Sequence, residues 1–226
     1  WPLMAALARE AHDTPSTWEK RGVRCIVMYP MNALVSDQIS RLRRLMGDEQ
    51  GRFVKHFRTC VGENARRPQF GMYTGRTPYP GSVSKSHQDK ALAGTLERVV
   101  AAGGNTYIGE LKRQGRIPAK ADLSAFVEHL RCGRHITDPE DAELITRFEM
   151  QALTPDILIT NYSMLEYMLF RPHERGIWEN TRAWLDASSE NRLLFVIDEA
   201  HMYKGAAGGE VALLLRRLFH RLGISR

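Results

Sequence analysis

Residues 193–201, which read LLFVIDEAH, constrain the fold of this chain more than any other segment. Five apolar residues in a row are typical of a strand buried on both faces, as in a parallel sheet covered by helices. The strand delivers two adjacent carboxylates, Asp198 and Glu199, at its carboxyl end, where open α/β sheets bind their ligands. Because buried charge is costly, a cation or a catalytic task is expected there. The chemistry favours a hydrated Mg²⁺ on a nucleotide phosphate, with Asp198 holding the ion and Glu199 deprotonating the attacking water.

This segment resembles the Walker B motif (motif II) of superfamily 2 helicases and translocases, in which DEAH ends an apolar strand. The continuation, residues 202–218, is similar to the large bacterial DEAH-box helicases, including Lhr-like and phage-defence members. The resemblance implies ATP and Mg²⁺ as cofactors, with Asp198 and Glu199 binding Mg²⁺ through water. It also implies that His201 couples the nucleotide site to a facing domain. A lone histidine at a helix entry is equally compatible with a structural role.

Strands and helices alternate along much of the chain. Predicted strands cover about residues 23–29, 69–73, 156–160 and 193–197, and predicted helices cover about residues 31–46, 163–170 and 210–222. Glycines 208 and 209 precede the last helix, and Gly223 is its expected C-cap. Strands that alternate with helices imply a parallel sheet with right-handed crossovers. The predicted fold class is therefore α/β, with a RecA-like parallel sheet flanked by helices.

Residues 84–153 have a different character. Apolar spacing predicts one helix near residues 92–100, a second near residues 123–130, and a third that starts at Thr137 or Asp138 with acidic residues in its first turn. No strand pattern is present in this stretch. We interpret it as a helical insertion of about 70 residues, far longer than an ordinary loop. The predicted core of the domain is then residues 1–83 and 154–226.

Residues 29–38, which read YPMNALVSDQ, resemble motif Ia of the same family, which grips the phosphates of one nucleic-acid strand. A helix that starts at Pro30 presents unpaired N–H groups to an anion, and Asn32 can add a hydrogen bond. The resemblance places Pro30, Asn32 and Ala33 at the nucleic acid. The family more often has threonine at the position of Met31, so a hydroxyl contact is lost there. The alternative is that Pro-x-Asn merely opens a helix.

Two further strand ends carry related segments. Residues 70–75, which read FGMYTG, resemble the glycine element between motifs Ia and Ib, and place Gly75 and the adjacent Arg76 at the nucleic acid. Glycine permits close approach of a ligand, but it also simply makes turns. Residues 157–161, ILITN, resemble motif Ib, in which Thr160 and Asn161 would contact phosphates. Better-known DEAD-box members have Pro-Gly where Asn161 and the next residue stand.

The charge balance supports a polyanionic partner without naming it. The net charge is +6, and basic residues are concentrated in residues 41–44, 52–58, 66–67 and 216–226. Excess positive charge favours polyanions, although solvated helix faces also carry arginine. The resemblance favours DNA over RNA, whereas phosphate contacts alone do not distinguish the two.

Other classes of protein fit the composition less well. Three cysteines form no disulfide framework and predict a reducing, cytoplasmic setting. No apolar run approaches the length that spans a bilayer, so no membrane partner is expected. His129, Cys132 and His135 have a spacing that a zinc site can use, but three residues at helical spacing more often form one face of a helix. A metal-dependent hydrolase built on Asp198, Glu199 and His201 is also disfavoured, because adjacent strand residues face opposite ways.

Several family elements are missing from the sequence. It contains no Gly-x-x-x-x-Gly-Lys-Ser/Thr phosphate loop and no second motor domain with an arginine finger. The chain is therefore expected to be an incomplete first motor domain of an ATP-dependent helicase or translocase. Its expected partners are DNA or RNA, the phosphate loop and second RecA-like domain of the same parent chain, and protein partners in a larger complex. The alternative is a non-catalytic module that binds nucleic acid or protein and has retained the helicase fold.

Overall fold

The computed structural model describes residues 2–30, 32–48, 50–78, 87–101 and 105–224, without the side chains of residues 32–34, 87–90 and 105–106. Helices and strands alternate through most of this length. In chain order the elements are α1 (Pro2–Asp13), α2 (Pro15–Trp18), β1 (Cys25–Tyr29), α3 (Asn32–Met46), α4 (Arg52–Val61), β2 (Phe70–Tyr73), α5 (His87–Ala101), α6 (Asn105–Arg113), α7 (Leu123–Arg131), β3 (Glu143–Leu144), α8 (Arg147–Leu153), β4 (Ile157–Asn161), α9 (Tyr162–Phe170), α10 (Arg175–Leu185), β5 (Leu194–Ile197) and α11 (Ala206–Leu222).

The five strands form one all-parallel sheet in the order β3-β2-β4-β1-β5. Helices cover both faces. Alternate strand residues such as Ile26 and Leu158 pack with α9, α10 and α11, and their neighbours Cys25 and Ile157 pack with α1, α3 and α4. The predicted α/β, RecA-like sheet flanked by helices is confirmed. Of the helices that the structure describes, none combines the length and apolar character needed to cross a bilayer.

Strand β5 lies at an edge of the sheet, and the expectation that it is buried on both faces is wrong. Among the strands that the structure describes, it pairs with β1 alone, with Val27 opposite Val196. Leu194 and Val196 are 42% and 38% exposed, whereas Phe195 and Ile197 pack against the core under α9 and α11. An apolar run predicts that a strand is covered by other elements. The position of that strand in the sheet depends on pairing with distant segments, which the run itself does not reveal. The Walker-B-like strand therefore offers an unpaired edge and one uncovered face.

The stretch predicted as a helical insertion contains a strand, which the sequence analysis did not expect. β3 pairs in parallel with β2, and α8 packs in the main core. The third predicted helix starts at Arg147 rather than near residue 138, because Thr146 and Glu149 form a capping box at that point. Helices α5 and α7 do form a separate apolar cluster. The predicted division into core and insertion stays a prediction, and its first boundary, at residues 83 and 84, lies outside the described residues.

Helix α11 begins earlier than predicted. Its first residue is Ala206, so Gly208 and Gly209 lie in its first turn instead of preceding it. A Cβ on Gly208 would come within 2.7 Å of the Tyr203 carbonyl oxygen. A glycine at 208 therefore lets the loop after β5 fold closely against the start of α11. The helix ends as expected at Gly223, which has a left-handed φ of 71°.

Candidate functional site at the carboxyl ends of the strands

The strand ends that carry the predicted site residues lie side by side at one edge of the sheet. Tyr29 at the end of β1 pairs with Asn161 at the end of β4, and Thr160 pairs with Tyr73 at the end of β2. On the other side of β1, the backbone N–H of Asp198 donates to the Met28 carbonyl at 3.0 Å. The order along this edge is therefore β2, β4, β1 and β5. The two acids lie at one end of the row and the residues with motif Ib character lie near the middle.

Glu199 has a strained backbone. Its φ of 49° and ψ of 41° lie in the left-handed region, which is unusual for a residue other than glycine, asparagine or aspartate. A short 3₁₀ helix, Ala200–Met202, follows immediately. The side chain of Glu199 is exposed and lies 3.2 Å from Nδ1 of His201. Strain of this kind persists only where the surroundings enforce it, and it is concentrated at functional sites.

Asp198 stands at the strand end with no side-chain hydrogen bond or ion pair to any residue that the structure describes. The group is half-buried, next to Tyr29. The pKa of Tyr29 is raised to about 12, first by burial of its hydroxyl and then by the negative charge of Asp198. The carboxylate of Asp198 therefore projects its charge into a partly desolvated corner, where a cation would be bound strongly.

His201 contacts Glu199 but no other carboxylate among the described residues. Its ring is largely exposed. A histidine in this position can hold the Glu199 carboxylate in one orientation. The sequence predicted a coupling role to a facing domain, and the structure shows that the ring reaches the catalytic candidate itself.

Thr160 and Asn161 have defined structural roles. Thr160 is completely buried, and its hydroxyl donates to the Tyr73 carbonyl at 2.7 Å, which ties the ends of β2 and β4 together. Asn161 is the N-cap of α9, where its Oδ1 accepts a hydrogen bond from the Met164 N–H at 2.8 Å. These contacts position the row of strand ends. The Thr160 contact joins residues 87 apart and leaves no signal in the sequence. The Asn161 contact is local, and an asparagine just before a predicted helix is an N-cap signal that the sequence carries.

The remaining nucleic-acid candidates lie along the same edge. Gly75 and Arg76 are exposed in the turn after β2, where the Arg76 N–H donates to the Thr74 hydroxyl at 3.2 Å. Pro30 is half-buried between β1 and α3, and the backbone of α3 begins at Asn32. The side chains of Asn32 and Ala33 lie outside the described residues. Arg76 is therefore the described candidate that offers an exposed positive charge.

Three arginines from two of the basic stretches do not contribute to a polyanion surface as expected. Arg66 binds both carboxylate oxygens of Asp156 at 2.8 Å, and Arg67 is buried against backbone carbonyls, including that of Met46. Arg43, in the basic stretch 41–44, binds Glu143 at 2.7 Å. These arginines stabilise the interior, because buried carboxylates need paired cations. Fewer arginine side chains are therefore available to a partner than the basic stretches suggest, although these ion pairs leave the net charge of +6 unchanged.

The donor set at Asp198 and Glu199 fits a hydrated Mg²⁺ better than a metal held by protein alone. Mg²⁺ keeps several waters and is usually bound by one or two carboxylates with substrate phosphates. Among the described residues, no group of three or more His, Cys, Asp and Glu side chains comes together to hold a metal. An ion at Asp198 would therefore take its remaining ligands from water and a bound phosphate.

Comparison with known proteins gives one informative match. The chain is similar to Druantia protein DruE from Escherichia coli (strain UMEA 4076-1), with 44% identity over 248 aligned residues. The alignment covers 100% of this chain and 13% of the relative, so the chain spans a small part of that protein's length. No family model matches the chain, and no solved structure matches it.

Proposed function

We propose that this chain is part of an ATP-dependent nucleic-acid helicase or translocase, with DNA as the favoured polymer. The observation that carries the proposal is the position of Asp198 and Glu199. They follow a parallel strand, lack a cationic partner in the described protein other than His201, and lie at the edge where β1, β4 and β2 also end. Open α/β sheets bind ligands at this edge. The resemblance of residues 193–201 to the DEAH motif of superfamily 2 helicases supports the same assignment.

In this proposal the two acids have different tasks. Asp198 would hold a hydrated Mg²⁺, which would supply charge neutralisation at the nucleotide phosphates, and Glu199 would accept a proton from the attacking water. His201 holds the Glu199 carboxylate in position through the 3.2 Å contact. The left-handed backbone of Glu199 turns its carboxylate away from the strand direction and into solvent. A longer parent chain would supply the phosphate loop and the second motor domain.

Nucleic acid would run along the other part of the same edge. The exposed Arg76 and the N-terminus of α3 supply positive charge and N–H donors to phosphates. Thr160 and Asn161 fix the ends of β2, β4 and α9 relative to each other through the contacts described above. Opening and closing of the nucleotide cleft would then move the β2–β4 end of the row relative to a second domain.

The decisive experiment is the substitution Glu199→Gln in a longer protein that contains this chain. If Glu199 is the base, nucleic-acid-stimulated ATP hydrolysis should fall by about 100-fold or more, while binding of ATP, measured by fluorescence of a labelled nucleotide, is retained. Glu190→Gln is the matched control, because Glu190 is an exposed glutamate in the loop before β5. The isolated 226-residue chain should hydrolyse ATP negligibly. The lysine of a phosphate loop and an arginine finger, which stabilise the transition state in the family, have no counterpart among its sequence motifs.

The results distinguish the motor from the binding-module alternative. If Glu199→Gln hydrolyses ATP as fast as Glu190→Gln does, the chain is a non-catalytic module and the proposal is wrong. Rapid Mg²⁺-dependent hydrolysis by the isolated chain would contradict the expectation that its site is incomplete. Loss of single-stranded DNA binding in Arg76→Ala, with ATP binding unchanged, would support the division of the edge into nucleotide and nucleic-acid parts.

A further inference from the structure

A second surface of the protein combines apolar and cationic side chains, away from the strand ends. It is a groove between α9 and α11 with a cavity volume of about 400 Å³. It is lined by three apolar residues, Leu169, Phe170 and Leu213, which we call its floor, and by three arginines, Arg216, Arg217 and Arg221, which we call its rim. We refer to these six residues as the α9/α11 groove.

The apolar side chains in the floor of the groove are unusually exposed to solvent. Phe170 is 66% exposed and Leu213 is 55% exposed, although both are large apolar residues. Single exposed apolar residues are normal on a protein surface and need no explanation. Here the two line the same concave space on two packed helices, which is the arrangement of a docking site rather than of scattered residues.

The rim is positively charged and poorly neutralised. Arg217 binds Glu166 at 3.0 Å and its guanidinium lies 5.4 Å from the centre of the Phe170 ring. Neither Arg216 nor Arg221 has a carboxylate within ion-pair distance in the part of the chain that the structure describes. Adjacent Arg171 stacks over Tyr167, another exposed aromatic residue. The groove therefore complements a partner with both apolar side chains and carboxylates.

The groove is distinct from the candidate site at the strand ends. Helix α9 begins at the carboxyl edge of the sheet and Phe170 lies eight residues further on, about 12 Å along the helix axis. The C-terminal part of α11 packs on α10, whose Thr181 hydroxyl accepts the N–H of Val23 just before β1. The groove thus faces the amino edge of the sheet, opposite to Asp198 and Glu199.

We propose that the α9/α11 groove docks an amphipathic helix with apolar residues on one stripe and glutamate or aspartate beside it. Two packed helices form a groove that a third helix fills with residues at i, i+3, i+4 and i+7, and the arginine rim binds the flanking carboxylates. Covering the leucine and phenylalanine side chains of the floor with other apolar side chains lowers the free energy of the complex. Single-stranded nucleic acid is the weaker fit, because Phe170 is the one aromatic residue in the floor, and Leu169 and Leu213 beside it offer no ring on which a further base can stack. This inference does not depend on ATP hydrolysis.

The test is a binding titration of the full chain with a synthetic helix. The probe is a fluorescein-labelled, end-blocked peptide of about 18 residues, with leucine in an i, i+3, i+4, i+7 stripe and glutamate and alanine elsewhere. We expect saturable binding by fluorescence anisotropy. Phe170→Ser and Leu213→Ser should each weaken it about tenfold or more, because buried apolar anchors dominate such interfaces. Ile136→Ser, at another exposed apolar residue, is the matched control.

Charge reversal sharpens the assignment. Arg216→Glu combined with Arg221→Glu should weaken binding of the glutamate peptide and strengthen binding of the same peptide with lysine in place of glutamate. Both arginines are exposed, so circular dichroism should show an unchanged fold. The proposal is overturned if the glutamate peptide does not bind, or if it binds Phe170→Ser as tightly as the unmodified chain. It is also overturned if an oligothymidylate, and not the peptide, binds in a manner that depends on Phe170 and Arg216.

Discussion

Two aspartates at opposite ends of parallel strands show how differently this fold treats negative charge. Asp156 precedes β4 at the amino edge of the sheet and is completely buried, with both oxygens bound by Arg66, a further contact to Arg24 at 3.3 Å and the Gln69 N–H at 2.8 Å. Asp198 follows β5 at the carboxyl edge and has no such partner among the described residues. The fold neutralises the first acid by itself, whereas the second has no neutralising partner in the described part of the chain.

Three other buried acids follow the pattern of Asp156. Glu143 is bound by Arg43, and Asp141 and Glu149 share the ammonium group of Lys120. Buried Glu174 departs from this pattern, because one of its carboxylate oxygens accepts the Tyr73 hydroxyl at 2.6 Å and the other has no hydrogen-bond partner among the described residues. Asp198 differs from all of these acids in being only half-buried, at the carboxyl edge of the sheet and next to the exposed Glu199.

The largest expected effect tests this contrast through stability. Asp156→Ala leaves Arg24 and Arg66 buried without their carboxylate, and should lower the free energy of unfolding by about 3–5 kcal/mol. Asp198→Ala is the matched control, and should change the same free energy by no more than about 0.5 kcal/mol. Urea unfolding followed by circular dichroism measures both. Equal destabilisation by the two substitutions would remove the distinction between a structural and a functional acid.

A second, smaller effect concerns the pH dependence of stability. Burial by itself raises the pKa of Asp156, but the charge and hydrogen bonds of Arg66, with Arg24 and the Gln69 N–H, outweigh it and hold the pKa below its ordinary value of 3.8. A carboxyl group whose pKa is lower in the folded state contributes stability that is fully present above its unfolded pKa and is lost as the pH falls through the folded value.

Unfolding free energies measured between about pH 7 and pH 2.5 should show this loss. The unmodified chain should lose stability steeply below about pH 4, whereas Asp156→Asn, destabilised at neutral pH, should lose less over the same interval. The difference between the two proteins should therefore shrink as the pH falls. A difference that stays constant down to the lowest pH would show that the carboxylate charge of Asp156 does not stabilise the fold.

The sequence predicted four of the five described strands and the helices α3, α9 and α11 that follow β1, β4 and β5, because local patterns decide them. The apolar run before Asp198 and the Pro-x-Asn opening of α3 are local signals of this kind. The edge position of β5 and the two-residue strand β3 were missed because they depend on pairing between distant segments. For the same reason the basic pair Arg66 and Arg67 was interpreted as surface charge.

The candidate site shows the same division. The sequence predicted which residues follow each strand, and the parallel sheet brings those strand ends into one row. It did not predict that the Thr160 hydroxyl would be used by the Tyr73 carbonyl, or that Tyr29 would lie beside Asp198. An aromatic residue at the end of a strand next to a predicted motif was the available signal for Tyr29. Hydrogen-bond partners 87 residues apart leave no comparable pattern in the sequence.

The smallest expected effect tests whether the left-handed backbone of Glu199 is strained. Glu199 adopts a left-handed conformation that costs an ordinary residue about 1 kcal/mol, whereas glycine adopts it freely. Glu199→Gly should therefore raise the free energy of unfolding by up to about 1 kcal/mol, less what glycine adds to the entropy of the unfolded chain. Glu190→Gly, the same change in an exposed loop, is the control and should be neutral or slightly destabilising. If Glu199→Gly is the more destabilising of the two, the backbone at 199 stores no strain, and its conformation carries no argument for function. If it is stabilising and inactive in the longer protein, stability has been given up at this position to hold the carboxylate where catalysis needs it.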